Sequence, residues 1–368
     1  MTDYRREHVP ATTPFIESLL ESHLPVDVRT PLEFAEDHIP GAFNAPLLSN
    51  EERVEIGTLY KVEGPQAARK RGLELTAHRF PELVDCIARE AQGRPLLVYC
   101  WRGGLRSKTV TSILDLTGHQ ALQLEGGYKS FRNHVSDYFN PFIPATPLVV
   151  LHGMTGIGKT TFLLELREKG QAVIDLEGLA CHRGSAFGQL GLNQILGQKR
   201  FETLLWDALR KVPAGLPLIV EGESERIGRV SLPGDFYQKM GQGIRIWCHA
   251  KLETRVGRLI EEYGLPEYKE EMGIALQRIR KKLGGQACDE LAGHLERWEM
   301  VPFMTGLVLG YYDKVYYKNR DWEGDLNLSM EDFQEAELEL IDFLGKQVSR
   351  KVVESSPPFG GNTVTHLT

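Results

Sequence analysis

The sequence predicts an α/β protein built from two parallel-sheet domains, on three observations. Short apolar runs that read as buried strands alternate with helical stretches in both halves. A proline-rich stretch, Asn140-Pro-Phe-Ile-Pro-Ala-Thr-Pro147, divides the chain. Each half also places its chemistry-bearing residues between a strand end and a helix start, where parallel sheets bind ligands. A chain of 368 residues has room for two or three such domains.

Composition narrows the classes. Hydrophobic residues are 42% and charged residues 25%, which excludes a mainly disordered chain. The net charge is 43 − 50 = −7, which excludes a uniformly basic nucleic-acid coat but leaves room for a local basic patch. Residues 1–14 carry no apolar core of a secretory signal, and no apolar run nears the roughly 20 residues a membrane helix needs. The five cysteines (Cys86, Cys100, Cys181, Cys248 and Cys288) are scattered, with no CxxC pair. That argues against a disulfide framework or zinc site and points to a reducing cytoplasm, with no membrane partner.

The first domain is expected over 10–138. Its elements are a strand at Val26-Asp-Val28, an apolar-periodic helix over 81–92, a buried strand over 95–99 and a helix over 106–117. Three prolines disfavour helix and central strand over the linker 139–147. The second domain is expected over 148–325. It has strands over 147–152, 172–176, 217–220 and 244–248, and a helix over 159–169 that ends before Gly170. A helical segment is expected over 326–353, opening at Ser329-Met-Glu-Asp332 as a capping box. The Pro- and Gly-containing tail 354–368 is expected to be disordered.

The first constellation is a thiol. Cys100 opens the loop Cys100-Trp-Arg-Gly-Gly-Leu-Arg-Ser107 between strand and helix. Backbone N–H groups and the helix terminus there favour the thiolate. Arg102 and Arg106 add charge, while Gly103, Gly104, Leu105 and Ser107 complete a loop that can cradle a small anion. The other four cysteines are expected to be packing residues.

The second constellation is Gly153-Met-Thr-Gly-Ile-Gly-Lys-Thr160, which fits G-x-x-x-x-G-K-[ST] between a strand and a helix. Gly153, Gly156 and Gly158 free the backbone to bind phosphate, Lys159 neutralises it, Thr160 and Thr161 complete the phosphate-binding set, and the Thr160 hydroxyl is also a candidate Mg²⁺ ligand. The loop reads phosphate, not a nucleobase: a nucleotide is the default ligand, but any diphosphate could use the same cradle. Leu218-Ile-Val-Glu221-Gly-Glu223 offers Glu221 as the acid at a neighbouring strand end. The polar stretch from Asp175 to Gly188 places His182, Arg183 and Ser185 in a loop at the ligand edge. Arg255 and Arg258 share a helix face, which either reaches phosphate or is solvated.

One basic stretch stands out: Arg278, Arg280, Lys281 and Lys282, followed by Gly284-Gly285. With Lys199, Arg200, Arg226, Arg229 and Arg245 it offers an RNA-backbone surface, and Trp298, Tyr311, Tyr312, Tyr316 and Tyr317 are aromatics for base stacking. A solvated helix face and core aromatics explain the same residues.

Three resemblances follow from these motifs. The first half resembles the rhodanese family in Val26-Asp-Val-Arg-Thr-Pro-Leu-Glu-Phe34, in His38-Ile-Pro-Gly-Ala-Phe-Asn44 with Asp37 where the family has glycine, and in Gly126-Gly-Tyr128. The five residues between Cys100 and Arg106 make the loop similar to C-x5-R of dual-specificity phosphatases, with Tyr99 in place of their His, which implies a phosphate-sized pocket. The chain over roughly 15–320 resembles the tRNA 2-selenouridine synthase family. Tyr99 to Ser107, Leu124 to Arg132, His152 to Thr160, Asp175 to Gly188 and Val220 to Ser224 carry that likeness.

This resemblance implies exchange of the 2-thio sulfur of a wobble uridine (position 34) in tRNA for selenium from selenophosphate, itself supplied by a selenophosphate-producing enzyme. It implies an S-geranyl intermediate made from geranyl diphosphate, with no redox cofactor. The phosphate loop would hold the geranyl donor, and Cys100 would accept or guide selenium. Three other readings stay open: a P-loop kinase or ATPase with a regulatory rhodanese module, a phosphatase, and a non-catalytic RNA-binding module.

Overall fold

The computed structural model describes residues 10–183, 185, 187, 188, 190, 191, 196–213, 215–314 and 322–355, with 348–355 as backbone only. Tyr316, Tyr317 and the tail from 356 onward lie outside the described residues; 354 and 355 end the last helix. The chain forms two compact units. One is 1–143 with 194–211 and 229–237; the other is 144–193, 212–228 and 238–368.

The first unit is built on a parallel sheet ordered β1-β5-β4-β2-β3: β1 (Thr12–Thr13), β2 (Leu24–Asp27), β3 (Phe43–Asn44), β4 (Leu96–Tyr99) and β5 (Ala121–Leu124). Every residue of β2 and β4 is buried, as expected of strands covered on both faces. The predicted helices form as Phe80–Ala91 and Leu105–Leu116. Helices Asn50–Val62 and Pro65–Thr76 were not anticipated; the first buries no residue and so shows no strong apolar stripe.

Helix Gln198–Arg210 also belongs to this unit, which corrects the expectation of two uninterrupted domains. The reason lies in its buried face. Trp206, wholly buried, packs edge-on against Phe131 at 5.4 Å. Polar contacts reinforce it. Thr203 Oγ1 and Tyr128 Oη both donate to Asp37 Oδ2 at 2.8 Å, and Arg132 pairs with Glu202. Asp37, where rhodaneses have glycine, is thus a buried anchor for this helix, flanked by Arg200 and Arg132 at 3.6 and 3.8 Å. The proline-rich stretch is no free tether either: Phe142 is buried against Phe139 and Phe236.

The second unit holds a parallel sheet ordered β12-β11-β6-β8-β7, with β6 (Leu148–Gly153) central, β7 (Val173–Ile174) and β8 (Leu218–Glu221) on one side. The two-residue strands β9 (Arg226–Ile227), in this unit, and β10 (Val230–Ser231), in the first, precede β11 (Ile244–His249) and the edge strand β12 (Leu326–Ser329) in the chain. The strand expected over 172–176 stops at Ile174, because Asp175 caps a short helix, Leu176–Leu179, by accepting the Gly178 N–H at 2.7 Å.

The C-terminal segment is a second correction. Residues 326–329 are strand, not helix, and Ser329 ends β12 instead of capping a helix. The cap is Asp332, whose Oδ1 accepts the N–H groups of Gln334 and Glu335, and helix Phe333–Ser355 follows. Its Ala336, Leu340 and Leu344 pack with Leu151, Phe162 and Ile246, so this segment is part of the sheet domain's core. Helices Leu252–Tyr263, Lys269–Leu283, Gly285–Glu296 and Met300–Leu307 form a separate apolar cluster around Met272, Leu276 and Phe303. Among the described residues no helix is long and apolar enough to cross a membrane, and none of the five cysteines forms a disulfide.

Candidate functional sites: a thiol loop and a phosphate loop

Cys100 stands at the C-terminal end of β4, nearly buried. Its Sγ receives the Gly104 N–H at 3.2 Å and lies 3.2 Å from Ser107 Oγ. Gln123 ties the loop from below, donating to the Gly103 carbonyl at 2.8 Å and to Ser107 Oγ at 3.0 Å. The Gly126-Gly127-Tyr128 turn closes on it from the side, with the Tyr128 N–H donating to the Cys100 carbonyl at 2.8 Å. Gly127, at φ 59°, leaves no space for a side chain, because a Cβ would collide with the Cys100 carbonyl and the Gly103 amide.

The two loop arginines separate. Arg102 is exposed, with no hydrogen bond or ion pair among the described residues. Arg106 is held by Glu33, with Nη1 to Oε2 at 2.7 Å. Glu33 Oε2 also accepts the Thr30 N–H at 3.0 Å in a capping box. Burial raises the Glu33 carboxyl, but Arg106, the Thr30 amide and Arg53 outweigh it and hold it below the usual range. An anion at this loop therefore meets Arg102 free and Arg106 shared. Behind it, buried Arg29 is clamped by Asp27 at 2.7 Å and lies 3.9 Å over the Tyr128 ring.

In the second unit the phosphate loop leaves β6 and enters helix Lys159–Glu168. Gly156 and Gly158 hold left-handed backbone, φ 82° and 83°, and Lys159 Nζ folds back to the Gly153 carbonyl at 3.1 Å. Thr160 Oγ1 donates to Glu177 Oε2 at 3.2 Å, and Thr161 is exposed. Arg255 and Arg258 fulfil neither expectation offered for them. Arg255, 3% exposed, donates from Nε to the Thr155 carbonyl at 2.9 Å and pairs with Asp313 at 2.6 Å. Arg258 donates to the carbonyls of Ile157 and Met330 at 2.7 Å and lies over Phe333. Both hold the loop's own carbonyls instead of reaching toward a phosphate.

Carboxyls crowd beside Lys159. Glu221 is fully buried. Its Oε2 accepts the Leu176 N–H at 2.8 Å, and its Oε1 has no partner among the described residues. Burial first, then Asp175, Glu177 and Glu223, push it well above the ordinary carboxylate range. Glu177 is raised to about 8 by burial and by Glu223, against Lys159; Glu223 is raised by burial. The Glu177–Glu223 pair thus holds a proton at neutral pH.

Because the folded Glu177 value lies above the unfolded one, its stabilising proton is fully present below about pH 4.5 and is lost as pH rises toward 8. Glu177→Gln supplies a permanent N–H in the proton's place. Its unfolding midpoint should gain on wild type as pH rises from 5 to 8, by at most about 1.4 kcal/mol per pH unit. A gain independent of pH, read in parallel melts, would refute the shared proton.

The other expected site residues are dispersed. Arg183 is engaged by Glu262 at 2.9 Å, the Leu190 carbonyl at 2.7 Å and the Tyr263 ring, none of them in the phosphate loop. Arg280 is bound to Asp289, whereas Arg278, Lys281 and Lys282 are exposed along helix Lys269–Leu283. Trp298, Tyr311 and Tyr312 pack on the helical cluster instead of forming an open stacking surface. Sequence reasoning passed over Glu33, Gln123 and Glu177. Glu33 lay inside the Val26–Phe34 motif, and Glu177 beside the Asp175 cap; Gln123 carried no signal, being one polar residue in an apolar strand.

A buried thiol on a strand-to-helix loop and a Gly-Lys-Thr phosphate loop, each on its own parallel sheet, define a two-domain enzyme that joins rhodanese-like and phosphate-loop chemistry. The family model for the rhodanese-like domain matches residues 16–134, and that for the tRNA 2-selenouridine synthase AAA domain matches 146–347. The tRNA 2-selenouridine synthase of Shewanella loihica is 35% identical over 312 residues, covering 79% of this chain and 82% of the relative. Those of Pseudomonas savastanoi pv. phaseolicola (31%; 89% and 95% covered) and Bdellovibrio bacteriovorus (33%; 82% and 90%) are similar across nearly the same span. The chain belongs to the tRNA 2-selenouridine synthase family.

Proposed function

We propose that this synthase exchanges the 2-thio sulfur of the wobble uridine (position 34) of tRNA for selenium in two stages. In the first, geranyl diphosphate sits with its diphosphate on the amides of Gly153 to Thr161 and on Lys159. The thiocarbonyl sulfur attacks the allylic carbon, the C–O bond breaks, and diphosphate leaves with the electron pair, its charge met by Lys159 and the helix terminus, while the uridine N3 proton passes to water. Thr160, its hydroxyl proton given to Glu177, keeps lone pairs free for Mg²⁺ beside the crowded carboxyls. Such an ion would further neutralise the departing diphosphate.

In the second stage the alkylated C2 is electrophilic. Selenophosphate, delivered by the enzyme that makes it, binds at Arg102, Arg106 and the Gly103-Gly104 amides, with Leu105 and Ser107 completing the loop. Cys100 guides its selenium to C2. Geranylthiol leaves, and water releases phosphate from the selenium. The exchange is redox-neutral and uses no redox cofactor. Exposed Arg278, Lys281 and Lys282 meet the tRNA backbone, with Arg280 held back by Asp289. The reaction belongs in the cytoplasm, where thiols stay reduced.

The observation that supports this reading is the joining, in one chain, of a phosphate loop and a buried thiol that receives an amide N–H. Mass spectrometry of nucleosides from thiolated tRNA tests it. With geranyl diphosphate alone the expected product is S-geranyl-2-thiouridine, and with selenophosphate added it is 2-selenouridine. No change in any uridine mass would overturn the reading and make nucleotide turnover the next assay.

A further inference from the structure

The phosphate loop has a neighbour that the scheme above leaves unused. Strand alternation puts Leu151, Ile246 and Cys248 into the core beneath helices Lys159–Glu168 and Phe333–Ser355, so His152 and Trp247 lie on the opposite face. The register pairs these two residues directly across β6 and β11. Trp322 joins them, edge-to-face with His152 at 4.5 Å and with Trp247 at 6.0 Å. The cluster reaches the phosphate loop through His152, which immediately precedes Gly153, whose carbonyl receives Lys159.

The wall is also uncharged. The His152 ring makes no hydrogen bond among the described residues, and burial, then Lys159 and Arg245, push its pKa down to about 4. Gly222, between the carboxyl-bearing Glu221 and Glu223, yields the space its ring fills, because a Cβ there would collide with it.

We propose that His152, Trp247 and Trp322 form the wall on which the hydrocarbon chain of an allylic diphosphate lies while its diphosphate occupies the phosphate loop. This assignment rests on the donor reading above and names the part of the site that would select the donor's organic group. Hydrocarbon suits these rings better than a nucleobase. The Arg245 guanidinium lies 5.2 Å over Trp322 and takes a face on which a base would stack. The group presents no amide or carboxylate to read a base edge, whereas an alkyl chain packs on ring faces and edges alike.

Titration calorimetry on the full chain tests this with inorganic diphosphate, dimethylallyl diphosphate, geranyl diphosphate and ATP. Wild type should bind geranyl diphosphate at least about tenfold more tightly than inorganic diphosphate, with the dimethylallyl ester between them. Trp322→Ala should remove about tenfold of that preference and leave inorganic diphosphate binding unchanged, which also reports an intact fold. His152→Phe, a neutral ring of similar size, should keep the preference, and His152→Ala should reduce it.

A geranyl preference that survives both Trp322→Ala and His152→Ala overturns the wall alone. A Trp322→Ala loss confined to ATP assigns the rings to a base and overturns it as well. Wild type that binds geranyl and inorganic diphosphate equally refutes the donor reading and the wall together.

Discussion

Lys159→Ala is expected to abolish both products of the proposed scheme, lowering S-geranyl-2-thiouridine formation by about 100-fold or more, while Cys100→Ala loses only 2-selenouridine. The split follows from where each group sits. Lys159 lies over the Gly153 carbonyl in the loop that would hold the leaving diphosphate. Removing a charge-stabilising group from such a site costs about 10²- to 10³-fold. In the proposed scheme every later step consumes the geranylated uridine, so selenium incorporation should fall with it. Cys100 stands on the other sheet, in contact with Gly104 and Ser107. Its loss should therefore let S-geranyl-2-thiouridine accumulate. Nucleoside mass spectrometry reads both masses in one digest. Equal loss of both products in Cys100→Ala would show that the thiol serves the first step as well. Undiminished selenouridine from that variant would deny the thiol its part in the second.

Arg255→Met should destabilise the phosphate-loop unit by about 3–5 kcal/mol, far more than loss of a surface charge. Arg255 and Asp313 are both nearly buried, and the truncation leaves the Asp313 carboxylate without its cation and the Thr155 carbonyl without its donor. Urea unfolding followed by circular dichroism should show the corresponding transition moving to lower denaturant. Arg255→Met combined with Asp313→Leu should recover most of the loss, because an apolar pair carries no unpaired charge. Inorganic diphosphate binding should stay weak in both variants, since the carbonyl clasp behind the loop is gone in each. A single variant as stable as wild type would mean that the pair contributes little. A double variant no better than the single one would place the cost in the loop instead of the charge.

Local chemistry made much of this legible. The strands around the two sites were read to within one or two residues, because runs such as Leu96-Leu-Val-Tyr99 are buried on both faces and leave no polar alternation to misread. Gly153 to Thr160 declared its phosphate loop, because amides, lysine and hydroxyl must follow one another at fixed spacing between a strand and a helix. Cys100 was equally plain between its strand and its glycines. The capping box at 329 failed because β12 is two leucines in four residues, and nothing local marks it as an edge strand until β11 pairs with it.

What the sequence by itself determined, then, is the content of the two loops and the sheets that carry them, since backbone conformation and burial act over neighbouring residues. Only the tertiary structure decided which charges answer one another. Arg106 meets Glu33 across 73 residues, and Arg255 meets Asp313 across 58. Asp37, from an altered glycine position, reaches Thr203 on a helix far along the chain and seats it in the first unit. A side chain's sequence neighbours set its conformation, but its electrostatic partner is whichever buried charge or dipole the fold brings within about 3 Å, and that distance is not written in the order of residues.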